Sequence, residues 1–238
     1  MRYKNHIFDV GAFNGLDGLI LALKNKNMMV HAFEANPALI KIIKKNKRKI
    51  EKFEKIKINN YKINNYAISD KNKFLKFNIA INPTVSSLNS FSKNIDQTWP
   101  GYRKAHCTFI KKIRVKGITL EKYCQDNKIT RINYLHIDTQ GSDLKVLKGL
   151  KRSIRLVEQG VLEASISKKK ALYQNNHTIS EAKYFLNKKN FLIKKIEPAE
   201  KNLKNEKNIY FYSKKKNFKN KVITKYKVKY FERIVSNN

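Results

Sequence analysis

Four residues near the start of the chain have the types and spacing needed to bind a nucleotide-like cofactor. Residues 7–15 read IFDVGAFNG, so Asp9, Gly11 and Gly15 follow a short apolar run. Glu34 comes 23 positions after Gly11, close to the spacing at which a carboxylate accepts both hydroxyls of a ribose. In an open parallel sheet, ligands bind outside the carboxyl ends of the strands, near the first strand-to-helix turn. The pattern therefore predicts a nucleoside site in this turn.

The middle of the turn distinguishes two kinds of cofactor. Dinucleotide sites of the type GxGxxG need a second glycine where the backbone approaches a pyrophosphate, and here that position is Phe13. S-adenosylmethionine contains an adenosine ribose but no phosphate, and its charged amino-acid end suits the Asp9 side of the turn. The sequence therefore favours S-adenosylmethionine over a dinucleotide.

The elements that must position these residues alternate between strand-like and helix-like stretches. Strands are predicted at 6–10, 29–34, 57–69, 73–80, 113–116, 132–138 and 157–164. Helices are predicted at 15–25, from Pro37 onward, and at 119–127, 142–150 and 180–189. Ser180 is the predicted N-cap of the last of these helices. Residues 191–197 and 208–213 are predicted to form a closing antiparallel pair. This order predicts an α/β fold with a mostly parallel sheet covered by helices on both faces.

The chain is predicted to form one domain over residues 1–213. Within it, residues 81–112 have no clean period and are expected to be a long insertion or lid. Residues 214–238 are rich in Lys with interleaved Tyr and Phe, and we expect a basic C-terminal appendage there. Such a segment suits either a solvated end or peripheral contact with an anionic membrane.

The formal net charge of +34 points to anionic surroundings, but its composition weakens the case for nucleic acid. The chain has 44 Lys against 8 Arg, and specific recognition of phosphates and bases depends on the planar fork of Arg. Cys107 and Cys124 form no CxxC pair and have no His at ligand spacing, so neither a disulfide framework nor a metal site is expected. Without a secretory leader or an apolar run of bilayer length, we expect a cytoplasmic protein.

Seven motifs together resemble the FkbM-type methyltransferases, a family of class I S-adenosylmethionine-dependent enzymes. They are IFDVGAFNG at 7–15, VHAFEANP at 30–37, NNYAISD at 64–70, TVSSL at 84–88, VKGITLEKY at 115–123, YLHIDTQGSDLKVLKGL at 134–150 and VLEAS at 161–165. The resemblance covers residues 6–213. It implies a Rossmann-like, seven-stranded sheet with a reversed last strand, and methyl transfer to a hydroxyl of a sugar, glycan or natural product.

The resemblance also implies which residues contact the cofactor. The methionine end lies against Asp9, Gly11, Gly15 and the neighbouring Asn14; Glu34 holds the ribose with Asn36 beside it; Ala67 and Ser69 border the adenine.

Three titratable residues on predicted strands are candidates for the chemical step. Methyl transfer is an in-line displacement, helped by a base that removes the hydroxyl proton. Asp138 is the first candidate for base or substrate clamp. His136 is the second, although it lies two residues deeper on the same side, where a hydrogen-bonded core imidazole is the alternative. Glu163 is expected either to bind substrate hydroxyls or to pair with a Lys.

Two other functions stay open at this stage. One is methylation of an RNA 2′-hydroxyl, which would use the positive charge. Methylation of a base amine is disfavoured, because residues 138–141 read DTQG and lack the Pro-Pro-aromatic turn that such chemistry uses. The other is a protein that binds S-adenosylmethionine without catalysis.

Overall fold

The computed structural model describes residues 3–102, 106–200, 204–215, 222–224 and 228–236. The strands are β1 (His6–Val10), β2 (Met29–Phe33), β3 (Tyr61–Asn64), β4 (Ala67–Ile68), β5 (Phe74–Ala80), β6 (Phe109–Ile118), β7 (Tyr134–Ile137), β8 (Gln159–Ser165), β9 (Phe191–Pro198) and β10 (Glu206–Ser213). The described helices are α1 (Leu16–Lys24), α2 (Pro37–Phe53), α3 (Ile95–Thr98), α4 (Leu120–Asp126), α5 (Asp143–Gly149), α6 (Ile179–Lys188) and α7 (Val228–Ser236), with 3₁₀ turns at Pro83–Val85 and Lys151–Leu156.

The main sheet has seven strands in the order β3-β2-β1-β7-β8-β10-β9. The pairs among β3, β2, β1, β7 and β8 are all parallel. The last strand, β10, lies between β8 and β9 and is antiparallel to both. The predicted α/β fold with a reversed last strand is therefore confirmed.

Alternation along the strands creates two cores, one on each face of this sheet, because successive side chains point to opposite faces. One core combines strand residues with residues of α1, α2 and α7: Ile7, Val30, Ile20, Ile43 and Phe231. The other combines strand residues with residues of α4, α5 and α6: Phe8, Leu135, Leu120, Leu147 and Leu186. Helices thus cover both faces, as the alternating pattern predicts.

Side-chain caps fix the start of two of these helices. At α2, the Asn36 side chain accepts a hydrogen bond from the backbone N–H of Ala38, and Pro37 occupies the first turn. At α6, Thr178 and Glu181 form a capping box in which each side chain accepts from the other's backbone N–H. The prediction of Ser180 as the N-cap is wrong by two residues, because Thr178 has the matching glutamate three positions later.

Two predictions for the middle of the chain are corrected. The single strand predicted at 57–69 is divided into β3, in the main sheet, and β4, which belongs to a second sheet of order β4-β6-β5. The change of sheet follows Asn64, whose side chain donates a hydrogen bond to the carbonyl of Ala32, and Asn65, whose side chain donates to the carbonyl of Glu34.

The stretch predicted as an insertion at 81–112 has its own structure. From Phe109 onward it is strand β6, so the strand predicted at 113–116 is longer than expected. Its earlier part packs in a separate apolar cluster that includes Ile95, Trp99, Leu172 and Tyr173. The apolar residues that stabilise this segment therefore come partly from the chain after β8.

The predicted appendage at 214–238 lies partly outside the described residues. The described pieces pack on the domain: Phe231 of α7 is buried against α1 and α2, and Ile223 exchanges two hydrogen bonds with the side chain of Asn25. Of the helices that the structure describes, none combines the length and apolar character needed to span a bilayer.

Candidate active site

A cavity of about 340 Å³ opens at the carboxyl ends of β1, β2, β7 and β8. Strand register brings its polar residues to one face of the sheet, since Asp9 lies beside His136 and Glu163 lies opposite Asn208. Eight of the predicted site residues line this cavity: Asp9, Gly11, Asn14, Glu34, Ala67, His136, Asp138 and Glu163.

Three predicted cofactor residues lie outside the cavity lining and support it from behind. Gly15 is the N-cap of α1, with a left-handed φ of 80°. Asn36 caps α2 through Ala38, and its backbone N–H donates to Glu34. Ser69 donates from Oγ to the carboxylate of Asp70. The structure thus places these three residues in positions that fix the walls.

Gly11 is the tightest point of the turn after β1. Its φ is +90°, and its N–H donates to the carbonyl oxygen of Phe33 at 3.0 Å. A Cβ at Gly11 would lie 1.7 Å from the carbonyl oxygen of Asp138, a distance that no packing adjustment of a side chain could relieve. The glycine therefore allows the loops after β1 and β7 to meet at the cavity floor.

Glu34 is held rigidly at the end of β2. Its Oε2 accepts from the N–H of Phe13 at 2.8 Å, and its Oε1 accepts from the N–H of Asn36 at 2.7 Å. Burial raises the pKa of Glu34 to about 7, although these backbone hydrogen bonds act to lower it. Each oxygen keeps a second lone pair, so the carboxylate can accept hydrogen bonds from a ribose.

Hydroxyl donors of a ribose favour the ionised form of Glu34, whose pKa is about 7. S-adenosylhomocysteine is therefore expected to bind the protein about tenfold more tightly at pH 8 than at pH 6. Titration calorimetry on Glu34→Gln should show weak binding with little dependence on pH. The matched control is Glu197→Gln, which changes an exposed glutamate paired with Lys195 and should keep the parent profile. A parent affinity that stays constant over this range would contradict the role of Glu34.

Asp9 and His136 form an ion pair on the cavity wall. His136 Nδ1 lies 2.8 Å from Asp9 Oδ1. Burial lowers the pKa of His136, but the hydrogen bond and charge of Asp9 outweigh it and raise the pKa to about 9. His136 is therefore protonated at neutral pH. This state does not suit a general base, and the structure favours the alternative of a hydrogen-bonded imidazole.

The second oxygen of Asp9 has no partner among the described residues. Asp9 is only 1% exposed, yet its Oδ2 accepts no hydrogen bond. A buried carboxylate oxygen without a donor is costly, which indicates that a ligand or water completes its hydrogen bonding.

NMR titration of the imidazole should give a pKa of about 9 for His136 in the parent protein. In Asp9→Asn the favourable charge is lost while the burial remains, so the pKa of His136 is expected to fall below its ordinary value. His136→Gln identifies the resonance. A parent pKa near the ordinary value would show that the ion pair does not form in solution.

Asp138 lies at the carboxyl end of β7 and is held by Gln140. Gln140 Nε2 donates to Asp138 Oδ1 at 2.7 Å, and Gln140 Oε1 lies 2.9 Å from the hydroxyl of Tyr173. Ser87 Oγ donates to the carbonyl of Gln140 at 2.6 Å. Burial raises the pKa of Asp138, and the charge of His136 lowers it in part. Residues from three parts of the chain thus orient this carboxylate.

Asp143 connects the loop after β7 to β8. Its Oδ1 accepts from the N–H and the hydroxyl of Thr139, and its Oδ2 accepts from the N–H of Glu163 at 2.8 Å. Burial raises the pKa of Asp143 to about 7. The side chain therefore fixes the separation of two predicted catalytic residues, Asp138 and Glu163.

Several residues of the site were missed by sequence reasoning. Asp143, Gln140, Tyr173 and Glu206 hold or line the cavity. Asp143 and Gln140 lie within the motif at 134–150. This motif was therefore a local signal from which both residues could have been predicted. Tyr173 and Glu206 reach the site only through the packing of the insertion and the register of β10, for which the sequence offers no local signal.

The charge of the cavity is opposite to that of the chain. Seven carboxyl side chains line it: Asp9, Asp17, Glu34, Asp138, Glu163, Glu200 and Glu206. Among its described lining residues there is no Lys or Arg, although the chain has 52 of them and only 18 Asp and Glu. The cavity therefore suits a ligand with positive charge and hydroxyl groups and repels phosphates.

The fold and site define a class I methyltransferase with a Rossmann-like sheet. The methyltransferase FkbM domain profile matches residues 9–193, and the chain belongs to this family. S-adenosyl-L-methionine is its cofactor, as predicted.

Solved structures with the same fold share little sequence with this chain. The FkbM methyltransferase from Methylobacillus flagellatus KT has a TM-score of 0.53 and 13% identity, over 89% of this chain and 45% of that one. M. capricolum TrmK in complex with S-adenosyl-homocysteine has a TM-score of 0.46 and 14% identity, over 89% and 63% of the two chains. This chain thus spans less than two thirds of either structure. None of the curated proteins compared with it matches.

Proposed function

We propose that this protein transfers a methyl group from S-adenosylmethionine to a hydroxyl of a sugar, glycan or natural product. The observation that carries the proposal is the position of the Asp138 carboxylate, which faces the cavity at the end of β7, next to the glycine turn. A carboxylate there can accept the proton that the hydroxyl loses as the new bond forms.

The residues at one end of the cavity fit the cofactor. The unpartnered Oδ2 of Asp9 can accept from an ammonium group, and Glu34 can accept from ribose hydroxyls. When bound, S-adenosylmethionine supplies a methyl group on a positively charged sulfur. The lining carboxylates favour such a cation, and the absence of phosphates in the cofactor matches the absence of Lys and Arg from the described lining.

Two features prepare Asp138 to act as a base. Its raised pKa increases its affinity for a proton relative to an ordinary carboxylate. The hydrogen bond from Gln140 fixes its orientation, so the acceptor hydroxyl can be aligned with the methyl carbon. Protonated His136 stabilises the carboxylate before the transfer and accepts no proton itself.

Methylation of an RNA 2′-hydroxyl is a weaker proposal. It draws on the net charge of +34, but the described lining of the cavity has no Lys or Arg for the phosphates that flank a ribose, and the lining His136 is paired with Asp9. Membrane contact through the segment at 214–238 also stays a proposal, and part of that segment lies outside the described residues.

The proposal can be tested with S-adenosylmethionine labelled in its methyl group. The protein is incubated separately with surface polysaccharide, total RNA and small metabolites, and each fraction is analysed for label. We expect label in a hydroxyl-bearing polysaccharide or metabolite, released only under conditions that cleave ethers. Labelled RNA, or S-adenosylmethionine binding without transfer to any fraction, would contradict the proposal.

A further inference from the structure

Four of the carboxyl groups that line the cavity belong to β8, β10 and the segments that follow β7 and β9. Asp138 directly follows β7, Glu163 lies near the end of β8, and Glu206 is the first residue of β10. Glu163 faces Asn208 across the β8–β10 pair, and Glu206 is two residues before Asn208, so both glutamates lie on the same face. Glu200 lies at the exposed edge of the cavity.

Glu206 is buried, and its carboxyl group has no partner in the part of the chain that the structure describes. It is 4% exposed and lines the cavity, yet no described residue donates a hydrogen bond to its carboxyl group or forms an ion pair with it. Glu163 is half-buried; among the described residues its carboxyl group also has no hydrogen-bond donor, while its backbone N–H donates to Asp143. Two carboxyl groups that line one cavity and have no donor among the described residues can accept hydrogen bonds from a ligand.

Burial and mutual repulsion both disfavour the ionised forms of these carboxyl groups. Burial, followed by the charges of Glu206 and Asp138, raises the pKa of Glu163 well above its ordinary value. Burial and the charges of Asp138 and Asp143 raise the pKa of Glu206 to about 8. A cation bound between them would reverse both effects, because an opposite charge favours the ionised carboxylate.

The cofactor cannot be the cation that these carboxyl groups bind. Strands lie about 4.8 Å apart, so β8 and β10 are about 10 and 14 Å from β1, which carries the turn for the methionine end. Glu34, which suits the ribose, lies on the opposite side of β1. A metal ion is also a poor candidate, because the described carboxylates do not group as metal ligands. An organic cation in the acceptor is the remaining choice.

We propose that the methyl acceptor carries a protonated amino group, as in an amino sugar, which binds between Glu163 and Glu206 while its hydroxyl faces Asp138. This inference rests on the proposed O-methyltransferase function. It names the class of acceptor: a polyol with a free amine, rather than a neutral or N-acylated one. The local negative charge would select such a molecule even though the whole protein is strongly positive.

The test compares three probes on protein saturated with S-adenosylhomocysteine: glucosamine, N-acetylglucosamine and glucose. Ligand-observed NMR titrations at pH 7 should show glucosamine binding about tenfold more tightly than either neutral sugar, as expected for one charge-assisted contact. Glu163→Gln and Glu206→Gln are each expected to reduce this preference to about twofold or less.

The matched control is Asp126→Asn, which removes the same charge from an exposed residue paired with Lys122 and should keep the parent preference. Thermal melting shows whether each variant is folded; Glu163→Gln and Glu206→Gln replace carboxyl groups whose ionisation is disfavoured by burial and should not lower the melting temperature.

Equal affinity for the three sugars would overturn the inference, as would a preference that survives in both glutamate variants or is lost equally in Asp126→Asn. Calorimetry with S-adenosylhomocysteine distinguishes a failure of this inference from a failure of the proposed function. If S-adenosylhomocysteine binds and label enters a neutral acceptor, only the inference about the amino group fails. If S-adenosylhomocysteine does not bind, both the proposed function and this inference fail.

Discussion

Replacing Gly11 with alanine is expected to abolish measurable binding of S-adenosylhomocysteine. The new Cβ would lie 1.7 Å from the carbonyl oxygen of Asp138 and 2.7 Å from its carbonyl carbon, so backbone must move. The φ of +90° adds strain, because L residues other than glycine avoid that region. Opening the floor of the cavity by even about 1 Å should weaken binding by about 100-fold or more, since this turn is expected to hold the methionine end and its Phe13 N–H also positions Glu34.

Titration calorimetry measures this effect directly, and Gly101→Ala is its matched control. Gly101 also has a positive φ, of +74°, but a Cβ there would meet no atom of the described residues within 4 Å. That variant carries the backbone strain without the collision and should bind the ligand like the parent. If Gly11→Ala binds within about threefold of the parent, the close approach of the two loops is not needed for the site.

Replacing Asp138 with asparagine is expected to reduce methyl transfer by about 10²- to 10⁴-fold while leaving the affinity for S-adenosylhomocysteine nearly unchanged. Asparagine has the same shape and can still accept the hydrogen bond from Gln140, so the loop should keep its position. It cannot take up the hydroxyl proton at neutral pH. The parent rate should also fall as the pH drops below the raised pKa of Asp138, because the protonated carboxyl cannot act as a base.

Label transfer to the accepting fraction and calorimetry on the same preparations separate chemistry from binding. Asp126→Asn should transfer label at the parent rate. Transfer by Asp138→Asn at the parent rate would show that Asp138 has no chemical role, and a parallel loss of cofactor affinity would assign it to binding instead.

The main sheet and the cofactor half of the site could be predicted because their signals are local. Asp9, Gly11 and Gly15 lie within seven residues of the turn after β1, and Glu34 directly follows the next strand. Helix α2 begins at a visible Asn-Pro pair. In each case the residue types within a short stretch carry the signal, even though the hydrogen bonds of the turn join it to Phe33 and Glu34 at the end of the next strand.

The acceptor half was less predictable because long-range contacts build it. Tyr173 lies near Gln140 only because the chain after β8 packs in the same apolar cluster as the insertion. Glu206 reaches the cavity through pairing with Ser165, and no residue next to Glu206 indicates that register. The division of residues 57–69 between two sheets likewise depends on the side chains of Asn64 and Asn65, whose partners are about 30 residues earlier.

The insertion of β10 between β8 and β9 has a consequence for synthesis of the protein. Strand β9 has no neighbour in the main sheet except β10, and one edge of β8 stays unpaired until β10 arrives. The strands that carry Asp9, Glu34 and Asp138 are therefore all translated before β10, whose Glu206 belongs to the opposite wall of the cavity. Both cores also use residues made after Pro198, such as Phe211 and Phe231, so the two walls of the cavity depend on the completed domain.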